Sequence, residues 1–480
     1  MKIILSDFHM AEAWYLKYIR ELEKKFWKTR GELNEAEAKL KKAEEENKDL
    51  RRQLDEMAMA KEAKRPRFPD YSLKRQEQKL QTKECKKSTG RIPFEEKFKL
   101  VEFEKDVYPK DVEPKDCVPV SHRIVTHLRD GRKEVWLYHI YRKKYSAARG
   151  KLPEVFGKSE YGVEVVVAIA FLVYGLGIPH AATCQILAFF CGIDMKKNEV
   201  NVLISQLSKS WKKEFEKIAD LIVLSLFVHI DESGWKIGKN NCYTWIFKSL
   251  MHTLLLYGEK RDEEVLDRIL PRNIFKGTGI TDCYKIYEKR FTAAQKCWAH
   301  FLRKAIKLML LFPEKKEYGK FFKDLYGIFA EAKELKGKPD EKIGGIKELE
   351  ENIKKICTEI ARKLPKDTPK DEREFVNLQK NLVRNIKDLF TFVLIEGVDP
   401  TNNHGEQGLR HVARSRNNYQ TSKTKKGAQR HSIIASVLFS LKQNLEEFTL
   451  KSVTKEAIRW RTEGQSLFDR QLQQARALSP

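Results

Sequence analysis

Two acidic residues stand at the ends of apolar runs. Asp231 follows Leu221-Ile-Val-Leu-Ser-Leu-Phe-Val-His-Ile230, and Asp282 follows the shorter Gly277-Thr-Gly-Ile-Thr281. Both runs read as buried strands, so each acid is expected at a strand end. Carboxylates side by side at one sheet edge can hold divalent cations. Two such ions, roughly 3.5–4 Å apart, activate an attacking oxygen and stabilise a leaving one in phosphodiester chemistry. Mg²⁺ favours oxygen ligands and keeps several waters, so a few carboxylates suffice, and Asp231 is the candidate for the bridging one. A third acid would complete such a site. Glu406 lies in Asp399-Pro-Thr-Asn-Asn-His-Gly-Glu406-Gln-Gly-Leu-Arg410, where Pro400–Asn403 signals a helix start and Asn403 to Glu406 has capping-box spacing. The local pattern suits a helix cap and a metal ligand equally.

The elements that must position these acids follow from the pattern around them. Tyr243–Phe247 and Thr253–Tyr257 read as two further strands and Arg261–Leu270 as a helix, so Asp231 and Asp282 are separated by a hairpin, a helix and a strand. Glu232 adjoins Asp231, but successive strand residues face opposite sides; Glu232 is therefore expected to be a surface or supporting acid. A Lys/Glu-rich helical stretch reaches to about residue 395. Arg410, Arg414 and Arg416 follow Glu406 on one element and could neutralise phosphates. With Lys423, Lys425, Lys426, Arg430 and His300 they form the expected DNA-contacting set; the alternative is a solvated basic face. Cys297 and His300 have zinc-like spacing and Cys283 is a conceivable third ligand, but no fourth partner stands near, so no zinc is expected. Packing near the site, with His300 touching DNA phosphate, is the expected role. Trp235 and Trp298 read as core residues, with stacking on a flipped base the alternative for Trp298.

The 480-residue chain carries 93 Lys and Arg against 68 Asp and Glu, a formal net charge of +25. A surplus of this size implies a polyanionic partner, nucleic acid first. Eight scattered cysteines form no Cys-x-x-Cys pair, which predicts a reducing compartment; the expected location is cytoplasmic and, with a nucleic-acid partner, associated with the nucleoid. The longest apolar run, Val165–Ile178, is too short to span a bilayer and reads as a buried helix, so no membrane partner is expected. Residues 1–62 carry a heptad seam. Leu33, Leu40, Asn47 and Leu54 fall on one register and Leu50 on the other, and Asn47 is the kind of polar residue that fixes a parallel, in-register homodimer. A long single helix is the alternative. Residues 63–93 form a basic linker, and 94–150 a small β-rich module whose hairpin turns at Asp130-Gly131. Residues 151–219 hold three helices, at about 160–174, 179–190 and 196–216, two of them joined by a short Gly-containing turn like a helix-turn-helix. The acids then fall in a catalytic core split into 220–304 and 399–450, with a helical insertion at 305–398 and a helical tail at 451–480.

Four ordered motifs carry a family resemblance. His229-Ile-Asp-Glu-Ser-Gly-Trp235 with Tyr243-Thr-Trp-Ile-Phe247, Thr281-Asp-Cys-Tyr284, Gln295-Lys-Cys-Trp-Ala-His300, and Thr401-Asn-Asn-His-Gly-Glu406 with Arg410 and Lys426-Gly-Ala-Gln-Arg-His431 are similar to the blocks of IS66-type insertion-sequence transposases. The resemblance covers about Tyr161–Leu450. It implies an α/β, RNase H-like catalytic domain with a mixed sheet and flanking helices. It also implies an Asp-Asp-Glu site at Asp231, Asp282 and Glu406, served by Mg²⁺ with Mn²⁺ able to substitute. The implied reaction is cleavage and strand transfer on double-stranded DNA, at transposon terminal repeats and target, by a homodimer or higher synaptic oligomer. Two departures stand out. Residues 94–145 contain only Cys117, where the family often has a cysteine-rich zinc module, and His404-Gly405 replaces a more apolar spacing before the acid. Two other classes remain as alternatives: an RNase H-like nuclease or resolvase, and a non-catalytic DNA-binding protein derived from a transposase.

Overall fold

The computed structural model describes residues 94–337, 341–419 and 421–478. The seam residues Leu33, Leu40, Asn47, Leu50 and Leu54, and the basic linker, lie outside the described residues.

The first sheet has three strands, β1 (Phe103–Val107), β2 (Cys117–Arg129) and β3 (Arg132–Lys143), in the order β1-β3-β2. The β2–β3 hairpin pairs Arg129 with Arg132 across Asp130 and Gly131, whose φ angles are 48° and 79°. Two positive φ values make the tight turn whose twist matches the flanking strands, which is why Asp-Gly stands there. A buried polar chain ties this sheet to the next element. Tyr138 Oη lies 2.9 Å from His127 Nε2, the other ring nitrogen of His127 meets Glu164, and Leu128 N–H donates to the same Glu164 carboxylate at 3.2 Å.

Glu164 belongs to α1 (Val163–Ala170), which continues through a π turn, Phe171–Gly175. Helix α2 (His180–Cys191) and helix α3 (Lys197–Val223) follow. Helix α3 runs seven residues beyond its expected end at 216. The apolar run Leu221–Ile230 is therefore not one strand: its first residues close the helix, and the strand begins at Phe227. The cause is periodic. Trp211, Ile218, Leu221 and Ile222 continue the buried stripe of α3, so an apolar helix end and an apolar strand start abut with no polar break.

The second sheet has five strands in the order β6-β5-β4-β7-β8: β4 (Phe227–Ile237), β5 (Asn240–Lys248), β6 (Thr253–Glu259), β7 (Thr278–Thr281) and β8 (Ala293–Lys296). Strands β4, β5 and β6 are antiparallel neighbours, whereas β7 pairs parallel with β4 and β8 parallel with β7. Helix α4 (Glu263–Ile269) links the two halves. One face of the sheet, with Val228, Ile230, Trp245 and Phe247, shares a core with α1 and α3. The other, with Trp235, Ile246, Leu255 and Tyr257, packs on α9 (Asn403–Tyr419) and α10 (Lys425–Asn444). Between β8 and α9 lie α5 (Trp298–Leu311), α6 (Lys316–Leu335), α7 (Lys342–Ile356) and α8 (Lys370–Arg384), with their own core around Trp298, Phe321, Leu325 and Leu382. Two further helices, Leu450–Thr462 and Leu467–Leu478, close the chain, and Asp469 meets Lys217 of α3 at 2.6 Å.

The outer edge of β6 is sealed by serines. Ser432, Ser436 and Ser440 recur every fourth residue along α10, and their hydroxyls accept from the N–H groups of Tyr257, Leu255 and Thr253 at 2.8, 2.8 and 3.0 Å. A bare edge strand presents unpaired backbone groups; here a helix face satisfies them. No helix of the described residues is long and apolar enough to cross a membrane.

Candidate active site

Asp231 sits within β4, not at its end, but the parallel ladder with β7 runs out beside it. Phe227 stands beside Thr278, Val228 beside Gly279 and His229 beside Ile280. Carried two residues on, the same register sets Asp231 beside Asp282 and on the same face. Asp231 Oδ1 accepts from Glu232 N–H at 2.9 Å. Asp282 turns the chain after β7, its Oδ1 accepting from Tyr284 N–H at 2.8 Å. Burial lifts the Asp231 carboxyl to about 7, and the neighbouring charges of Glu232, Asp282 and Glu406 add to the rise, against the Glu232 N–H. Glu406 thus acts electrostatically on Asp231 from the first turn of α9.

Glu406 is not a cap. Both of its carboxylate oxygens are held by Arg303 of α5, at 3.2 and 3.1 Å, and Asn403 Oδ1 accepts from the same guanidinium at 3.5 Å. The start of α9 is fixed by Asn402, which has no exposed surface. Its Nδ2 donates to Ile230 O at 2.8 Å, its Oδ1 lies 3.0 Å from His229 Nδ1, and its N–H donates to Cys297 Sγ at 3.1 Å. One side chain and its backbone therefore join the Asp231 strand, the Cys-Trp-Ala-His segment and the Glu406 helix. Burial holds His229 down to about 4, so it is neutral at pH 7. Gly405 has a local reason: a Cβ there would lie 2.8 Å from Asn402 Oδ1; at Gly408, further along the helix, one would lie 2.2 Å from Ile246 Cδ1.

Glu232 faces away from Asp231, as strand geometry demands, but is no surface acid. Its side chain is 1% exposed, Arg261 donates to it at 2.7 Å and the Tyr287 hydroxyl also meets it. Burial raises its pKa against these two partners. Arg261 in turn lies 3.8 Å over the Tyr284 ring. Beneath Asp282, Lys296 is fully buried and donates to Thr281 Oγ1, Asp282 O and Tyr287 O at 3.1, 3.3 and 3.4 Å; burial lowers its pKa.

The expected DNA-contacting residues divide. Arg410 and Arg414 are exposed on α9, four and eight residues beyond Glu406 and so on its face, and Lys423, Lys425 and Lys426 are exposed around the start of α10. Arg416 is instead committed to Gly234 O at 2.7 Å, and Arg430 to Asn201 Oδ1 and Ser205 Oγ of α3 at 2.8 and 2.5 Å. His300 is half-buried at the start of α5, 3.8 Å from Glu406. Trp235 and Trp298 are core residues with 1% and 0% exposure, which leaves Trp298 no face for a base. Sequence reasoning missed Lys296, Arg303 and Asn402. Lys296 and Asn402 stand inside the quoted motifs, and that position was the only signal for them.

A family model described as the IS66 family of transposases matches residues 158–430, more than half of the chain. No curated protein matches it.

Proposed function

Because the chain belongs to the IS66 family of transposases, we propose that it cuts DNA at the ends of its mobile element and joins the freed 3′ ends to target DNA, with Asp231, Asp282 and Glu406 as the catalytic carboxylates. The observation that supports this reading is the parallel β4–β7 register, which runs to two residues short of Asp231 and Asp282, with the charges of Asp282 and Glu406 acting on Asp231. The sheet order, three antiparallel strands followed by two parallel ones, supports an RNase H-like catalytic domain. Family membership implies DNA binding, and the +25 charge suits that partner.

The three carboxylates suit a divalent cation. Three neighbouring carboxylates oppose ionisation of Asp231, and a cation would relieve that repulsion; Glu406 already faces a positive partner in Arg303. Mg²⁺, or Mn²⁺ in its place, held by these residues would supply positive charge against the attacking and leaving oxygens. The remaining work belongs to the chain. Asp231, whose carboxyl feels the charges of both Asp282 and Glu406, would hold the cation together with them. Lys296 and the Tyr284 N–H fix the Asp282 turn, and Asn402 sets the approach of Glu406. Arg410 and Arg414 pair with phosphates and lay the backbone across the acids, while Lys423, Lys425 and Lys426 extend the basic track. The N-terminal seam through Leu40, Asn47 and Leu54 pairs two copies, so that two DNA ends meet in one complex.

Full-length protein, Mg²⁺ and DNA bearing the element's terminal inverted repeats should give cleaved ends and strand-transfer products. Asp231→Ala, Asp282→Ala and Glu406→Ala should each abolish products and keep DNA binding; full activity in any of them sinks that assignment. Cleavage without joining would mark a nuclease or resolvase, and binding without cleavage a non-catalytic derivative.

A further inference from the structure

Cys297, His300 and Glu406 turn toward one point. The thiol sulfur, an imidazole nitrogen and a carboxylate oxygen all lie within 4.8 Å of one another. The first two come from one local device: Cys297 caps α5, and His300, in its first turn, donates its N–H to Cys297 O at 3.2 Å. Glu406 arrives from the start of α9, brought there by the Asn402 N–H bond to the same sulfur. Cys297 has no exposed surface. His300 Nδ1 is closed off from solvent without a hydrogen-bond partner, and Glu406 Oε1 stands 3.8 Å from it. That gap is too long for a hydrogen bond. It is close to the ligand–ligand edge of a tetrahedral site with bonds of about 2.0–2.3 Å, which spans roughly 3.3–3.7 Å.

We propose that Cys297, His300 and Glu406 form a three-ligand site for a borderline-soft divalent ion such as Zn²⁺, with solvent as the fourth ligand. This reverses the expectation drawn from Cys297, His300 and Cys283 alone, because the missing ligand comes from a carboxylate more than a hundred residues downstream. Thiolate and imidazole select against Mg²⁺, which prefers oxygen alone. As the sulfur–metal bond forms, the thiol proton passes to solvent. Arg303 can keep Oε2 of Glu406 while Oε1 turns to the ion. An ion there occupies a carboxylate that Asp231 and Asp282 also need; that consequence rests on the transposase reading, whereas the binding itself does not.

The test is a Co²⁺ titration of the reduced, full-length protein. About one equivalent should bring a near-ultraviolet thiolate-to-cobalt charge-transfer band and visible bands of tetrahedral cobalt. Cys297→Ser should remove the charge-transfer band. His300→Gln and Glu406→Gln, at partly exposed side chains that tolerate substitution, should keep the fold by circular dichroism and weaken cobalt binding on the order of tenfold or more each. Absence of the band in the wild-type protein, or its persistence in Cys297→Ser, overturns the site. Asp231→Asn and Asp282→Asn should leave the cobalt spectrum unchanged while removing DNA cleavage, so the two readings fail separately. A spectrum that follows Asp231→Asn instead of Cys297→Ser also overturns the site.

Discussion

Asn402→Ala should cost both stability and metal-dependent activity, and the two costs can be separated. The substitution keeps the backbone bonds, Asn402 N–H to Cys297 Sγ and Glu406 N–H to Asn402 O. It removes the amide between Ile230 O and His229 Nδ1, both in the strand that carries Asp231. Asn402 and His229 are buried, at 0% and 2% exposure, so two polar groups lose their partner where water cannot replace it. At about 1–3 kcal/mol for each stranded group, the loss sums to roughly 2–6 kcal/mol. The amide also sets the distance between β4 and the start of α9, and a misplacement of about 1 Å near reacting groups can cost on the order of 100-fold in rate. The assay is cleavage of terminal-repeat DNA across a Mg²⁺ series, run well below the variant's melting temperature. The expected result is a rate lowered about 100-fold, a higher Mg²⁺ requirement and unchanged DNA affinity. A variant that melts earlier but cleaves at the wild-type rate with the wild-type Mg²⁺ requirement would show that Asn402 only holds the fold, and would refute the positioning argument.

Three further outcomes follow. The Asp231 carboxyl, lifted to about 7, holds its proton in the folded chain over a range where the unfolded chain has lost it, so this group favours the metal-free fold as pH falls toward 5. Metal binding needs the carboxylate; calorimetry in two buffers of different ionisation enthalpy should find close to one proton released per binding event at about pH 6 and almost none at about pH 8.5, and equal release at both would contradict the raised pKa. Ser436→Ala strands the Leu255 N–H on the edge of β6 and should lower unfolding stability by about 1–3 kcal/mol in urea titrations, while Ser→Ala at an exposed position such as Ser210 should change it by under roughly 0.5 kcal/mol. Leu40→Lys with Leu54→Lys places charges on the proposed heptad seam; if that seam pairs two copies, sedimentation of the full chain should shift from dimer to monomer, and an unchanged mass would reject the coiled coil.

How far the sequence could be read depended on whether a signal was local. The Asp130-Gly131 hairpin, strands β5 and β6 and helix α2 were legible because turn chemistry and periodicity sit within a few residues of what they specify. Strand β8 was not. Its residues Ala293-Ala-Gln-Lys296 are largely buried yet carry no apolar signature, because Gln295 bonds Leu389 O and the Phe392 N–H, and Lys296 bonds the turn beneath Asp282. The serines of α10 read as ordinary polar residues until the edge strand they seal, about 180 residues earlier, is beside them.

Glu406 is the sharpest case. A cap and a metal ligand share one local pattern, since both put a carboxylate in the first turn of a helix. What separates them is the partner. A capping carboxylate spends its charge on its own backbone, whereas Glu406 meets Arg303 from across the fold and acts on the charge of Asp231. The same distance in sequence hides the proposed soft-metal site: Cys297 and His300 stand close in the chain, and only the fold brings a Glu406 oxygen within 4.8 Å of their ligand atoms. Arg303 holds both oxygens of Glu406, so a cation proposed at either site must draw at least one of them away. On the two proposed readings its position should depend on which cation is bound, and the state of Glu406, more than that of either aspartate, should decide whether the three acids act together.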